Sequence, residues 1–229
     1  MRFFRLMVAV FVFVTASAVQ ADPFDDAAAA YNKGDYATAL RKFKALALKG
    51  NSSAQHNLGT MYYRGEGIQK DDQQALVWFR KAADQGEPNA QYNLGTMYVR
   101  GEGLPIDFKQ AVSWFRKAAD QGDTGAQNDL GKMYLTSRGV PKDVQQAAMW
   151  FRKAADQGDA GAQYNLGTLY ALGQGFPKDV QQAYFWFILA SASGNANAVK
   201  NRDIAEANLN LLQRATVQAQ ARDWKPRKQ

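Results

Sequence analysis

The sequence predicts an all-α fold, a solenoid of stacked helix pairs with 36-residue repeats, and three observations support this prediction. The nine residues WFRKAADQG at Trp78–Gly86 recur unchanged at Trp114–Gly122 and Trp150–Gly158, and a degraded copy, WFILASASG, follows at Trp186–Gly194. Apolar residues in both halves of the repeat have helical spacing, and glycines and capping residues fall at matching positions in each copy. Self-similarity at a fixed period of this length is typical of arrays in which each unit packs only on its neighbours.

The first 21 residues have the composition of a secretory signal peptide. Arg2 and Arg5 precede an apolar run over positions 6–14, and small residues then end in Val-Gln-Ala at Ala21. A basic head, a short apolar segment and a small-residue exit mark such signals, so we expect cleavage after Ala21. The uncharged stretch is short for a membrane span of about 20 residues, and no cysteine follows it for lipid attachment. We therefore expect a periplasmic or secreted protein without a membrane span after cleavage.

Residues 22–53 are predicted to form a diverged helical repeat at the N-terminal end. Shifting this segment by 36 residues places Phe43 on Phe79 and Gly50 on Gly86. Four regular units then follow, at residues 54–89, 90–125, 126–161 and 162–197.

Each regular unit opens with a segment that predicts a helix, here called helix A. In the first unit it reads AQHNLGTMY, and Leu58, Met61 and Tyr62 form an apolar stripe at i, i+3 and i+4. Gly59 interrupts this helix, although glycine costs about 1 kcal/mol relative to alanine there. The same glycine recurs in every regular unit, at Gly95, Gly131 and Gly167. We expect another helix to cross at this point too closely for a Cβ atom.

The second half of each unit predicts helix B. Ala75, Trp78, Phe79 and Ala82 follow the i, i+3, i+4, i+7 spacing of a buried helical face. The pair Arg80-Lys81 lies between them and is expected to face water. Bulky aromatic and small alanine residues on one face let neighbouring helices pack closely.

Capping residues define the ends of these helices. Asp71 and its copies, each with a glutamine three residues later, resemble a capping box at the start of helix B. Gly86 and its copies fit a left-handed C-terminal cap. A Gly-x-Gly loop joins helix A to helix B, but Ser137 replaces its first glycine in the third unit, where we expect a different loop.

Residues 198–229 are predicted to form a C-terminal capping helix and a basic tail. No glycine or proline interrupts positions 201–223, which are rich in Ala, Leu, Gln and Glu. Such a helix would cover the last repeat, as solenoids require for solubility. The residues from Trp224 onwards are expected to be a loose tail.

Composition and motifs argue against several classes of function. Because residues 1–21 contain two arginines and no acidic residue, the formal charge falls from +7 to +5 after cleavage. This charge is spread over helix surfaces, which indicates a solvated face and no nucleic-acid partner. The chain lacks cysteine, a P-loop, Gly-x-Ser-x-Gly and His-Glu-x-x-His, and His56 is its one histidine. We therefore predict neither enzymatic activity nor a cofactor or metal site.

The order of A-Q-x-x-L-G-x-M-Y, G-x-G, K-D and A-x-x-W-F-R-K-A-A-D-Q-G closely resembles the Sel1-like repeat family, which is related to tetratricopeptide repeats. The resemblance covers four full copies. It implies a right-handed superhelix of antiparallel helix pairs with the A helices on the concave side. It also implies a role in holding other proteins together, often in bacterial envelope assembly, secretion or host contact.

The predicted partner-binding residues lie on helix A, opposite its apolar stripe. In tetratricopeptide proteins that bind peptides, an asparagine at the matching position holds the ligand backbone, and an amide can both donate and accept. The alternative is that these asparagines bind neighbouring elements inside the solenoid. The candidate residues are His56, Asn57, Thr60, Tyr92, Asn93, Thr96, Asn128, Lys132, Tyr164 and Asn165.

The sequence therefore predicts an exported, monomeric scaffold or adaptor that holds a protein or peptide on its concave face. Two alternatives stay open. The first is a cell-envelope enzyme, or an enzyme-associated factor, that acts on cell-wall material. The second is a secreted effector that binds host proteins. A cleft with two carboxylates, or with His56 and one carboxylate, would favour the enzyme.

Overall fold

The structure, a computed structural model, describes residues 22–227, and within that range it contains twelve α-helices and no strand. The all-α, right-handed superhelical solenoid of antiparallel helix pairs is thereby confirmed. The predicted signal peptide at 1–21 lies outside the described residues. The helices are α1 (Pro23–Asn32), α2 (Tyr36–Leu48), α3 (Ser52–Arg64), α4 (Asp72–Asp84), α5 (Pro88–Arg100), α6 (Phe108–Asp120), α7 (Thr124–Thr136), α8 (Val144–Asp156), α9 (Ala160–Leu172), α10 (Val180–Ala192), α11 (Ala196–Ala207) and α12 (Leu211–Asp223).

Consecutive helices from α1 to α11 pack against each other, and α12 packs on α10. Helices α1 and α2 form the diverged first pair, and the pairs from α3–α4 to α9–α10 are the four regular units. Helices α3, α5, α7 and α9 are the A helices, and α11 continues their row. We call the surface that these five helices form the helix-A face.

Each of the twelve helices begins at an aspartate, glutamate or asparagine whose side chain accepts a backbone N–H two or three residues later. A cap of this kind stabilises a helix by about 1 kcal/mol. The capping residues are Asp22, Asp35, Asn51, Asp71, Glu87, Asp107, Asp123, Asp143, Asp159, Asp179, Asn195 and Asn210.

The capping box predicted at the start of helix B forms only in part. Asp71 accepts the N–H of Gln74 at 2.9 Å, as expected. The N–H of Asp71, however, donates to the carbonyl of Tyr62 at 3.0 Å, near the end of helix A, so it is not free for the glutamine side chain. This bond closes the loop between the two helices. Among the described residues the complete box occurs at α12, between Asn210 and Gln213.

The left-handed cap predicted at the end of helix B is present. Gly86 has a φ of 91°. Its N–H donates to Ala83 O at 3.0 Å, and the N–H of Glu87 donates to Ala82 O at 3.1 Å. This pair of bonds is the Schellman motif, which satisfies the last helical carbonyls.

The glycine that recurs in each A helix has the predicted steric cause. A Cβ atom built on Gly59 would lie 2.7 Å from Cδ1 of Phe79, in helix B of the same unit. A Cβ atom built on Gly95 or on Gly131 would likewise lie 2.7 Å from Cδ1 of Phe115 or Phe151. The phenylalanine ring therefore occupies the volume that a side chain on helix A would need.

The tryptophans of helix B join successive units. Trp114 is buried in a cluster with Phe79 and Ala82 of the preceding unit, whereas Phe115 belongs to the following cluster. Lys117 covers the indole, with Nζ 3.9 Å from the ring centroid. The same lysine–tryptophan contact occurs in the units before and after. Thus Arg-Lys residues expected only to face water also shield the buried aromatic column.

The C-terminal segment differs from the prediction in two ways. The single capping helix expected within 198–229 was wrong: α11 and α12 are two helices, because Asn210 caps a new helix after a break at Asn208–Asn210. The loose tail was also wrong. The N–H of Arg227 donates to Asp156 O at 2.8 Å, and Pro226 packs beside Gly158. Pro226 and Arg227 therefore dock beside helix α8, and residues 228–229 of the predicted tail lie outside the described residues.

Candidate functional site

The helix-A face is crossed by a ladder of side-chain contacts between residues 37 positions apart. Each contact joins the variable position of one A helix to the asparagine position of the next. Its polar atoms lie between 2.9 and 3.5 Å apart. The pairs are His56–Asn93, Tyr92–Asp129, Asn128–Asn165 and Tyr164–Asn201.

This ladder engages most of the predicted partner-binding residues. Asn93 Nδ2 lies 3.0 Å from His56 Nε2, and Asn165 Nδ2 donates to Asn128 Oδ1 at 2.9 Å. Asn57 donates within its own helix, to the carbonyl of Ser53 at 2.8 Å. The asparagine amides therefore make contacts inside the solenoid, which is the alternative left open by the sequence.

The remaining predicted residues differ in how far they reach solvent. The hydroxyl groups of Thr60 and Thr96 donate to carbonyl groups one helical turn earlier. Lys132 is exposed, and its Nζ lies 2.8 Å from Asp129 Oδ1. It is the predicted residue with the most accessible charged group.

Burial shifts the ionisation of several groups on this face. Burial, followed by the nearby carboxylate of Asp129, raises the pKa of Tyr92 to about 12, so its hydroxyl stays a donor. Burial lowers the pKa of His56, although Glu87 acts in the opposite direction. Burial also raises the pKa of the capping carboxyls of Asp123 and Asp159. These shifts follow from packing between units.

A second ladder lies deeper and was missed from the sequence. Gln91 is buried, and its Nε2 donates to Ala83 O at 3.2 Å. Its Oε1 accepts from Gln121 Nε2 of the next unit at 2.9 Å. Equivalent pairs join Gln85 to Gln55 and Gln157 to Gln127. The signal was the glutamine that recurs in all four AQ segments and in the three DQG segments, and this recurrence marks a structural role.

Two tyrosines make matching contacts between units at the N-terminal end of the array. Tyr63 donates its hydroxyl to Glu102 Oε2 at 2.9 Å, and Arg100 Nη1 donates to the same hydroxyl at 3.2 Å. Tyr31 makes the matching contacts with Glu66 and Arg64. The glutamate comes from the Gly-x-Gly loop of the following unit, so this loop takes part in the face.

Three grooves lie on the helix-A face. The groove between α3 and α5 has a volume of about 190 Å³ and includes Tyr63, Arg100 and Glu102. The groove between α5 and α7 is larger, about 370 Å³, and includes Lys132 and Arg138. The third, of about 260 Å³, lies beside α11 and is mainly apolar.

These grooves do not assemble a recognisable catalytic group. Asp129 is the one carboxylate that lines the groove between α5 and α7, Glu102 is the one in the groove between α3 and α5, and the groove beside α11 has none. Away from this face, a groove of about 390 Å³ beside α8 includes two carboxylates, but Asp156 pairs with Arg227 and Asp223 with Arg222. Within residues 22–227, no group of three His, Asp or Glu side chains is placed to hold a metal ion. The face offers hydrogen-bonding, aromatic and charged surface, which is suited to binding.

The stacked pairs and their ladders define the chain as a helical-repeat solenoid of the class typical of protein-interaction scaffolds. The chain belongs to the Sel1 repeat family. The Sel1 repeat profile matches four successive segments, at 52–87, 88–123, 124–159 and 160–195. This family is generally a non-enzymatic scaffold.

Similar solved structures include a Sel1 repeat protein from Oxalobacter formigenes. It is 39% identical, with a TM-score of 0.72 over 76% of this chain and 71% of that one. A protective antigen present in uropathogenic Escherichia coli strains is 34% identical, with a TM-score of 0.59 over 88% of this chain and 52% of that one. An immunity protein from Pseudomonas aeruginosa is 26% identical, with a TM-score of 0.52 over 76% and 68% of the two chains.

No curated protein matches the chain. In the part of the chain that the structure describes, none of the helices combines the length and the apolar character needed to cross a membrane.

Proposed function

We propose that this protein is a scaffold or adaptor that holds a protein or peptide partner on its helix-A face. The observation that carries the proposal is the contrast between the two sides of the repeat. The stretch from Trp78 to Gly86, which includes most of helix B, recurs unchanged in three of the four units, because its residues pack and cap the solenoid. The helix-A face differs from unit to unit at the positions of His56, Tyr92, Asn128 and Tyr164, and in the grooves between units.

A binding face of this kind fits the mechanics of a solenoid. Hydrogen-bonded ladders hold the A helices in fixed register, so the grooves between them are formed before a partner arrives. Preorganised grooves reduce the entropy lost when a partner binds. Because the face is built by five helices in a row, it suits an extended segment.

We also propose that the protein acts after export, as a monomer, once residues 1–21 have been removed. The first described helix begins directly after the predicted cleavage point. Asp22 caps it by accepting the N–H of Phe24 at 2.8 Å, so cleavage after Ala21 would leave this cap in place. Mass determination of the protein isolated from the periplasm or medium should give a chain that starts at Asp22. A protein that keeps its first 21 residues and stays in the cytoplasm would contradict export.

Site-specific photo-crosslinking in intact cells tests the binding face. A photoreactive residue at Thr96 or Lys132, both on the helix-A face, should capture the same partner protein. The matched control positions are Val77 and Met149, which are exposed on the B helices. Crosslinks at the control positions alone, or purified protein that turns over cell-wall material, would contradict the proposal.

A further inference from the structure

The groove between α5 and α7 departs from the repeat at the positions that close the groove before it. Val99 occupies the repeat position that Tyr63 occupies 36 residues earlier. Arg138 likewise occupies the position of Glu102. The hydrogen bond that joins Tyr63 to Glu102 at 2.9 Å therefore has no counterpart here. The groove is about 370 Å³, compared with about 190 Å³ for the one that the tyrosine and glutamate close.

The charges around this groove are unevenly balanced. Lys132 is paired with Asp129 at 2.8 Å, and Arg100 lies 3.7 Å from Glu102. Arg138 makes no salt bridge with any residue in 22–227, and its guanidinium carbon lies 5.4 Å from the centre of the Phe108 ring. Arg138 is thus a cationic group at an accessible groove, and it has no carboxylate partner within residues 22–227.

Apolar side chains form the other part of the groove. Phe115 and Met133 are buried beneath it, and Val99 is half-buried at its wall. The volume falls within the range of ligand sites. The groove also continues into the neighbouring smaller one, with which it shares Tyr92, Thr96 and Arg100. Such a continuous surface can hold a length of chain.

We propose that this groove binds an acidic side chain of an extended partner segment, together with an apolar side chain beside it. Arg138 pairs with the carboxylate through its planar guanidinium, which matches the two carboxylate oxygens. The apolar neighbour packs on Val99 and Met133. This inference rests on the proposed peptide-binding function and specifies the chemistry of the partner. A free inorganic anion would pair with Arg138 but would make no apolar contact with Val99 and Met133.

Fluorescence anisotropy with two pools of short peptides, blocked at both ends, tests the inference. The pools carry Glu-Leu or Gln-Leu at the centre and uncharged residues elsewhere, so they differ only in one charge. The Glu-Leu pool should bind about tenfold more tightly than the Gln-Leu pool, a ratio that corresponds to about 1.4 kcal/mol. The preference should shrink as salt rises, because the pairing is solvent-accessible.

Two variants are designed to remove the site while keeping the fold. Arg138→Glu introduces the residue that the two preceding loops carry at this position, and Val99→Tyr combined with Arg138→Glu rebuilds the pair that closes the preceding groove. Both should abolish the preference for the Glu-Leu pool. Lys109→Glu makes the same change of charge on exposed helix α6 and should keep the preference.

The outcomes separate this inference from the broader proposal. Equal binding of the two pools would overturn the acidic anchor but retain peptide binding. No binding of either pool, with crosslinking to a partner still observed, would overturn the peptide mode and retain the scaffold. Loss of the Glu-Leu preference in Lys109→Glu, or displacement by inorganic phosphate as effective as by peptide, would also overturn the acidic anchor.

Discussion

Asn93 Nδ2 lies 3.0 Å from His56 Nε2, and this contact joins two successive A helices. In this arrangement the amide nitrogen donates and the imidazole nitrogen accepts. The third and fourth units make the same connection with Asn128 and Asn165. Chemically different residues thus serve one geometric role, which keeps neighbouring units in register while the face varies.

His56 gives the stability of the protein a dependence on pH. Burial lowers the pKa of the imidazole in the folded state. At a pH above about 6.5, the ordinary pKa of histidine, the ring is neutral in both the folded and the unfolded state, so its ionisation does not change the free energy of unfolding. Below it, the unfolded chain binds the proton more readily, and the free energy of unfolding falls until the pH passes the folded-state pKa.

The variant His56→Asn should remove this dependence, because Asn128 already makes the equivalent contact. Urea unfolding from about pH 7.5 to about pH 5.5 should show a larger loss of stability in the natural protein than in the variant. The buried carboxyls of Asp123 and Asp159, whose pKa values are raised, act in the opposite direction in both proteins and cancel in the difference. Parallel curves would contradict the assignment.

The sequence was sufficient for features that arise within one unit. The Asp71 cap, the Gly86 cap and the close approach at Gly59 follow from local spacing and from repetition at 36 residues. The Gln85–Gln55 bond could not be predicted, because it depends on how far one helix slides along another. The same applies to the pairing of Asn93 with His56, since the sequence allowed either a ligand or a neighbouring helix as its partner.

The close approach between helices A and B predicts that Gly95→Ala is destabilising. Alanine alone would favour the helix by about 1 kcal/mol. Its Cβ would, however, lie 2.7 Å from two ring carbons of Phe115, and such overpacking costs about 1–3 kcal/mol. In a Phe115→Leu background the cost of Gly95→Ala should be smaller, with a coupling of about 0.5–3 kcal/mol in urea unfolding. An equal cost in both backgrounds would show that the ring is not the obstacle.

Ser137 keeps the backbone conformation of the glycines it replaces. Its φ of 56° is in the left-handed region, close to the 73° of Gly65 and the 72° of Gly101. The different loop expected here was therefore wrong at this residue, and serine bears the strain of this conformation. Ser137→Gly should raise the free energy of unfolding by up to about 1 kcal/mol. Gly101→Ser is the reciprocal control and should lower the free energy of unfolding. A Gly101→Ser variant that is more stable than the natural protein would contradict the strain argument.

The buried tryptophans stabilise the fold through the apolar surface area that they bury, and not through hydrogen bonds of the indole N–H. Trp150 is 5% exposed, and its indole N–H has no hydrogen-bond partner within residues 22–227. Trp150→Ala should therefore cost about 3–5 kcal/mol, since it leaves a cavity between units. Trp150→Phe keeps a ring beneath Lys153 and gives up an unpaired donor, so it should cost less than half as much as the alanine variant. Circular dichroism during urea unfolding measures both values. A phenylalanine variant as unstable as the alanine variant would mean that the indole N–H stabilises the fold.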